Sequence, residues 1–168
     1  MLADVLRQRE SEDDGIRALY GPGSSSSTNA RRVWIDGSCI GNGREDARAG
    51  AGVYFGEHAD NISARVPGAQ TNNRGEHLAF ILALLATAPT VPLTVYCDSE
   101  LVIRTYCHWA RRFEQCGWIC ANADLIQYAV TLLQRRSCPV EFRWVKGHSG
   151  NKGNDAADIL AKDGAARS

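Results

Sequence analysis

Residues 31–42, RRVWIDGSCIGN, constrain this chain more than any other stretch. Val33, Trp34 and Ile35 are β-branched or aromatic and suit a half-buried strand. Asp36 follows at once, and Gly37 with Gly41, Asn42 and Gly43 reads as turn punctuation. The pattern predicts a strand that runs into a turn with Asp36 at the change-over. Standing alone, such an acid is ordinary turn chemistry. It becomes informative if other acids also sit beside apolar segments, and three do: Glu76, Asp98 and Asp158.

Taken in order, the chain opens with Leu2, Val5 and Leu6 at helical spacing, which predicts a short helix within residues 1–20. A Gly-Pro-Gly and serine run over 21–26 reads as a flexible linker. Residues 1–28 are thus expected to be an N-terminal tail, and residues 29–168 a single domain large enough for a real core. Apolar segments at 33–36, 49–55 and 62–66, joined by short connections, predict three antiparallel strands. After Pro67 and Gly68, residues 71–76 open a helix that is apolar on most faces from Leu78 to Ala88, as a buried helix is. Glu76 lies in its first turns, where the helix dipole favours an anion. Residues 93–97, LTVYC, form a fourth strand that delivers Asp98, with a helix beginning at Ser99. Asp98 could equally be a helix cap.

Tyr106, Trp109, Phe113 and Trp118 then alternate with Arg104, Arg111 and Arg112. That interleaving suits either nucleic-acid contact or packing against a core. A helix over 122–136 presents Leu125, Ala129 and Leu132 on one face, a fifth strand spans 140–145, and a last helix over 154–166 turns Ala157, Leu160 and Ala161 inward beside Asp158. The fold class is therefore α/β: a five-stranded mixed sheet, three antiparallel strands and then parallel ones, flanked by helices.

Formal charge is zero overall but unevenly spread, since residues 1–30 hold three Arg and five acids. With four acids committed to a metal site, residues 31–168 carry six positive charges in excess, which is compatible with a nucleic-acid partner. The charged start MLADVLRQRESEDD resembles neither a secretory nor a mitochondrial leader, and no apolar run is long enough to span a membrane. An intracellular protein, cytoplasmic or nuclear, with its six cysteines reduced is expected. Cys116, Cys120 and His108 lack the paired spacing of a zinc site. Nothing in the sequence argues for an oligomer, so a monomer is expected.

Four acids at the edges of apolar elements are hard to explain separately. Carboxylates brought together repel and raise one another's pKa values unless a cation neutralises them. Ligation by oxygen alone favours hard cations such as Mg²⁺ or Mn²⁺. Two such ions held by carboxylates can clamp an in-line phosphoryl displacement.

These motifs resemble ribonuclease H of type 1. Asp36-Gly37-Ser38-Cys39 with Asn42, Thr71-Asn72-Asn73-Arg74 with Glu76, Asp98-Ser99, and Trp144 to Gly150 followed by Gly153-Asn154 and Asp158 occur in the family's order across about residues 31–166. The resemblance implies an endonuclease that hydrolyses the RNA strand of an RNA–DNA hybrid, leaving a 5′-phosphate and a 3′-hydroxyl. It implies Asp36, Glu76, Asp98 and Asp158 as the ligands of two Mg²⁺ ions, which Mn²⁺ can replace, and selects Asp158 over Asp155 for the fourth place. His148, on a glycine-rich loop, is implied to assist proton transfer or product departure. Cys39, Asn42, Asn72 and Asn73 resemble residues that approach the minor groove, where 2′-hydroxyls distinguish RNA from DNA. Thr71 resembles part of a pocket for a DNA-strand phosphate, and residues 108–118 resemble a basic protrusion that grips hybrid, keeping Trp109 and Trp118.

The chain departs from that pattern in places. Ala69 stands where a basic residue is common, Glu100 where a Gln is common, and Glu114, Gln115 and Cys116 where bases are usual. The stretch between Trp118 and Asn122 is shortened. A catalytically silent hybrid-binding domain on the same fold, and a retroelement-derived RNase H domain, are the alternatives to a host enzyme. The loss of basic positions predicts weaker hybrid binding than a fully basic relative shows at the same salt concentration. Equal affinities in a side-by-side titration would overturn that expectation.

Overall fold

The computed structural model describes residues 29–167 together with two backbone strands nearer the N-terminus. Those strands are β1 (Leu6–Glu10) and β2 (Ile16–Tyr20), and the central elements follow as β3 (Arg31–Ile40), β4 (Arg48–Tyr54) and β5 (Ile62–Arg65). Helix α1 (Asn72–Leu85), β6 (Leu93–Cys97) and α2 (Glu100–Arg104) come next. A π-helical turn, Thr105–Trp109, continues α2 directly into α3 (Ala110–Gln115). The chain ends with α4 (Ala123–Gln134), β7 (Val140–Trp144) and α5 (Lys152–Ala166).

The five expected strands are present as β5-β4-β3-β6-β7 within a sheet of order β1-β2-β7-β6-β3-β4-β5. β3 pairs antiparallel with β4, and β4 with β5, whereas β3, β6 and β7 run parallel. The sheet is longer than expected because β1 and β2 form a hairpin whose second strand pairs with β7. Residues 6–10 and 16–20 are thus strand, not the short helix that Leu2, Val5 and Leu6 suggested. Ile16, Ala18 and Tyr20 carry the competing period of two, and an open β7 edge offers backbone partners that an isolated short helix lacks. The expected linker at 21–26 lies outside the described residues.

A second correction concerns Asp36. β3 does not end there: it is a ten-residue strand, and Gly37 continues it with Ala51 as its partner. Gly37 is in the strand for a different reason. A Cβ on it would strike Asn72 O, Gly75 C and Glu76 N, so α1 lies directly on the β3 backbone. α5 approaches β4 in the same way, since a Cβ on Gly50 would collide with Ala161 O and Ala165 N, and one on Gly52 with Ala157 O.

Between sheet and helices the core centres on Phe80, Tyr106 and Phe142, with Phe80 4.6 Å from Tyr106 and 4.9 Å from Phe142 between ring centroids. Buried His77 meets the Tyr106 hydroxyl through Nδ1 at 3.0 Å, and burial lowers its pKa to about 4, so the ring is neutral near neutral pH. α4 buries Leu125, Ile126, Ala129, Val130 and Leu133, leaving Leu132 only half-buried. Arg74 in α1 donates to both oxygens of Asp124 at the start of α4, at 2.9 and 2.5 Å. All six cysteines are free thiols, and no helix among the described residues is long and apolar enough to cross a membrane.

The glycine contacts generate a test. Gly50→Ala should destabilise the protein by about 2 kcal/mol or more, because the methyl group meets helix backbone that cannot move aside alone. Gly43→Ala, where nothing lies within 4 Å and only the positive φ is unfavourable, should cost about 1 kcal/mol. Urea unfolding midpoints of the two variants check this order.

Candidate active site

Three elements deliver three acids to one place. β3 carries Asp36, the first turns of α1 carry Glu76, and Asp98 immediately follows β6, the parallel neighbour of β3. A carboxylate oxygen from each lies within 4.8 Å of the other two. Asp36 and Glu76 are buried, and Asp98 is half-buried.

The electrostatics follow from that crowding. Burial, then the charges of Asp98 and Asp158, push the Asp36 pKa up to about 7, against the Gly37 N–H that donates to Asp36 Oδ1 at 2.8 Å. Burial, then Asp36 and Asp98, raise the Glu76 carboxyl well above the ordinary range. Glu76 Oε2 is buried with no hydrogen-bond partner among the described residues. A buried oxygen without a partner is costly, and this one lies in an all-oxygen cluster of acids. The donor set fits a hard divalent cation.

Asp98 is held by the segment that follows β7. Asn154 Nδ2 donates to Asp98 Oδ2 at 3.0 Å, and Trp144 Nε1 donates to the Asp98 carbonyl at 3.1 Å. Gly147 lies against the same carboxylate, since a Cβ there would be 2.6 Å from Asp98 Oδ2. The next residue, His148, is exposed with a left-handed φ of 51°.

Asp158 on α5 is outside the three-acid set but near enough for its charge to act on Asp36. It is half-buried and pairs with Lys162 one turn further on, at 2.5 Å. Asp155, in the first turn of α5, is not among the charges that shift Asp36.

The other expected site residues fall into two groups. Cys39, Asn42, Thr71, Asn72 and Asn73 gather where the end of β3 and its turn meet the start of α1. Asn42 Oδ1 accepts from the Asn72 N–H at 3.3 Å, Cys39 Sγ lies 3.5 Å from the Gln70 carbonyl, and Thr71 caps α1 by accepting from the Arg74 N–H. Glu100, Trp109 and Trp118 lie along the α2–α3 segment instead. Glu100 is exposed and paired with Arg104 at 3.3 Å, Trp109 is exposed, and Trp118 packs half-buried on the core with φ 62°. Asp98 was expected to be either ligand or cap; Ser99 is the cap of α2, accepting from the Val102 N–H.

Sequence reasoning missed two neighbours of the acids. Asn154 stood in a motif with no task assigned, and Lys162 was not noticed, although its spacing of four from Asp158 on a helix was the available signal.

A sequence model of the RNase H family matches residues 28–166. Ribonuclease H1 of Mus musculus is 38% identical over 143 residues, covering 81% of this chain and 50% of that protein. Ribonuclease H of Schizosaccharomyces pombe is 40% identical over 141 residues, covering 79% and 52%. The chain thus spans about half the length of these relatives. Ribonuclease H of Syntrophus aciditrophicus is 32% identical over 158 residues, covering 87% of this chain and 88% of that protein. Among solved structures, LC9-RNase H1, a type 1 RNase H with the type 2 active-site motif, superposes with a TM-score of 0.60 at 29% identity, covering 83% and 74%. A foamy viral protease–reverse transcriptase in complex with double-stranded DNA shares the fold, with a TM-score of 0.67 at 19% identity, covering 83% and 96%.

The raised acids link stability to pH. Asp36 has a folded pKa above its unfolded value of 3.8, so its stabilising share is complete below that value and is lost as pH rises through about 7. Metal-free protein should therefore gain about 2 kcal/mol from Asp36→Asn at about pH 8 and little at about pH 4. A divalent cation should raise the thermal midpoint of the unsubstituted protein more at the higher pH. Thermal scans in chelator and in Mg²⁺ check both statements.

Proposed function

The chain belongs to the RNase H family, and from that premise we propose that it is an endonuclease cutting the RNA strand of RNA–DNA hybrids to 5′-phosphate and 3′-hydroxyl ends. The observation that carries the reading is the cluster of Asp36, Glu76 and Asp98, in which the buried Glu76 Oε2 has no partner among the described residues. A fold that needed these acids only for stability would gain by replacing them with neutral groups. The proposed domain is residues 29–168, with β1 and β2 extending its sheet at the β7 edge.

In this reading Asp36, Glu76, Asp98 and Asp158 hold divalent cations. The chemistry such a centre supplies when loaded is Lewis-acid assistance to in-line phosphoryl transfer, by two Mg²⁺ ions for which Mn²⁺ can stand in. The chain's own residues do the rest. Asn154 and Trp144 keep Asp98 in place, so its carboxylate need not be reorganised during reaction. Asp158 is preferred to Asp155 because its charge reaches Asp36. His148, exposed beside Gly147, is free to carry a proton to or from the departing oxygen. Cys39, Asn42, Asn72 and Asn73 read the minor groove, where the RNA strand presents 2′-hydroxyls. Thr71 faces a phosphate of the DNA strand, while Trp109, Trp118 and Glu100 line the path of the hybrid along the α2–α3 segment. The protein acts as a monomer inside the cell, cytoplasmic or nuclear.

The test is cleavage of a labelled RNA strand presented alone, paired with RNA, paired with DNA, and paired with DNA plus chelator. Cutting is expected in the hybrid alone and is lost with chelator. Asp98→Asn should keep the fold and lower the rate by about 10³-fold or more; near-full activity would remove Asp98 from the centre. Asp155→Asn should be far milder than Asp158→Asn, and the reverse order would show the fourth ligand to be Asp155. Hybrid bound but never cut, in either Mg²⁺ or Mn²⁺, would leave a silent binding domain.

A further inference from the structure

A second concave site lies at the end of the sheet where β3 begins and β4 ends, beside the first turn of α5, and includes none of the three acids. It has a volume of about 640 Å³ and is lined by the start of β3, the end of β4 and the first residues of α5. Arg31, Arg32 and Lys152 are exposed at its wall, and none of them forms an ion pair with a described residue. Glu57 is the one carboxylate in the lining. The site's volume falls in the range of small-molecule pockets, about 300–1,000 Å³.

The aromatic side of the pocket is already organised. The Arg31 guanidinium sits 4.3 Å above the Phe55 ring, which holds a flat cationic surface in place. Trp34, on the face of β3 that α5 covers, is immobilised, stacked on Tyr96 at 4.8 Å and 15° and packed under Gly153. Trp34 is therefore wall, and Arg31 on the Phe55 ring is the surface left for a planar ligand. Opposite stands the first turn of α5, whose leading N–H groups have no carbonyl one turn back within the helix. Lys152 is the first residue of that turn. Planar cation, aromatic wall, lysine and Arg32 together suit a ligand that is flat at one end and anionic at the other.

We propose that this pocket binds a nucleotide, its base on the Arg31–Phe55 stack and its phosphate between Arg32 and Lys152. Guanidinium planes and aromatic faces stack bases without regard to their identity, and paired cations at a helix start hold phosphate. The nucleotide can come free from solution or as an unpaired end of a bound strand. The site shares no residue with the proposed acid centre, and its occupancy does not depend on that centre's activity.

The test uses the full chain in chelator, followed through backbone amide shifts. Titration with AMP or UMP should move the amides of Phe55, Lys152 and Gly153 with a dissociation constant of about 0.1–1 mM. Adenosine and inorganic phosphate, each carrying half of the ligand, should bind about tenfold more weakly or worse. Lys152→Glu should abolish the response while keeping the fold, because an acid in the first turn of a helix is favourable to folding. Arg31→Ala should weaken AMP more than inorganic phosphate. An RNA–DNA hybrid with a single-stranded RNA extension is compared with a blunt one. Pocket shifts from the extension that AMP displaces identify a strand end as the source, and shifts from mononucleotide alone identify free nucleotide. No shift at these amides up to about 10 mM AMP, or the same shifts in Lys152→Glu, would overturn the proposal. A failure of hybrid cleavage with intact AMP binding would count against the enzyme reading and not against this site.

Discussion

Two helices rest directly on strand backbone in this protein, and the placement of its acids depends on that contact. Gly37 lets the first turns of α1 lie on β3, and Gly50 with Gly52 lets α5 lie on β4. With a methyl group at any of these points the helices would stand further off. The distance matters because Glu76 and Asp158 ride on those helices, while Asp36 belongs to β3 and Asp98 directly follows β6 beneath. Packing of small residues thus becomes proximity of charge.

That proximity is unfavourable by itself. Desolvation and mutual repulsion raise the pKa values of Asp36 and Glu76, and Glu76 Oε2 has no partner among the described residues. The surrounding hydrogen bonds do not neutralise the charge; they hold it in place. Asn154 and Trp144 tether Asp98, and Lys162 restrains Asp158. Protonation or a bound cation relieves the crowded acids, so the same geometry that is costly with the acids ionised suits a divalent cation. Sites that trade stability for function in this way are expected where chemistry is done.

Much of this architecture was legible. The β-β-β-α-β order, the buried character of α1 and the delivery of Asp98 at a strand end all follow from local periodicity, and periodicity is a local property. Where the reading went astray, the cause was long-range. Gly37 reads locally as a turn residue because glycine does mark turns, yet here it serves contact with a helix that starts 35 residues later. The hairpin of β1 and β2 was obscured because its pairing edge, β7, lies more than 100 residues downstream. Nor does any spacing reveal that Trp34, Arg31, Tyr54 and Lys152 line one concavity.

The sequence by itself determined the order of strands and helices from β3 onward, the presence of acids beside apolar elements and the chemistry that oxygen-only ligands favour, because residue type and short-range pattern carry that information. Tertiary structure decided which oxygens come within 4.8 Å of one another, that the charge of Asp158 is near enough to raise the Asp36 pKa, and that Asn154 and Trp144 hold Asp98. Those facts depend on the parallel pairing of β3 with β6 and on how far each helix can settle onto the sheet. Distances of that kind arise from packing between elements remote in sequence, so no local pattern contains them.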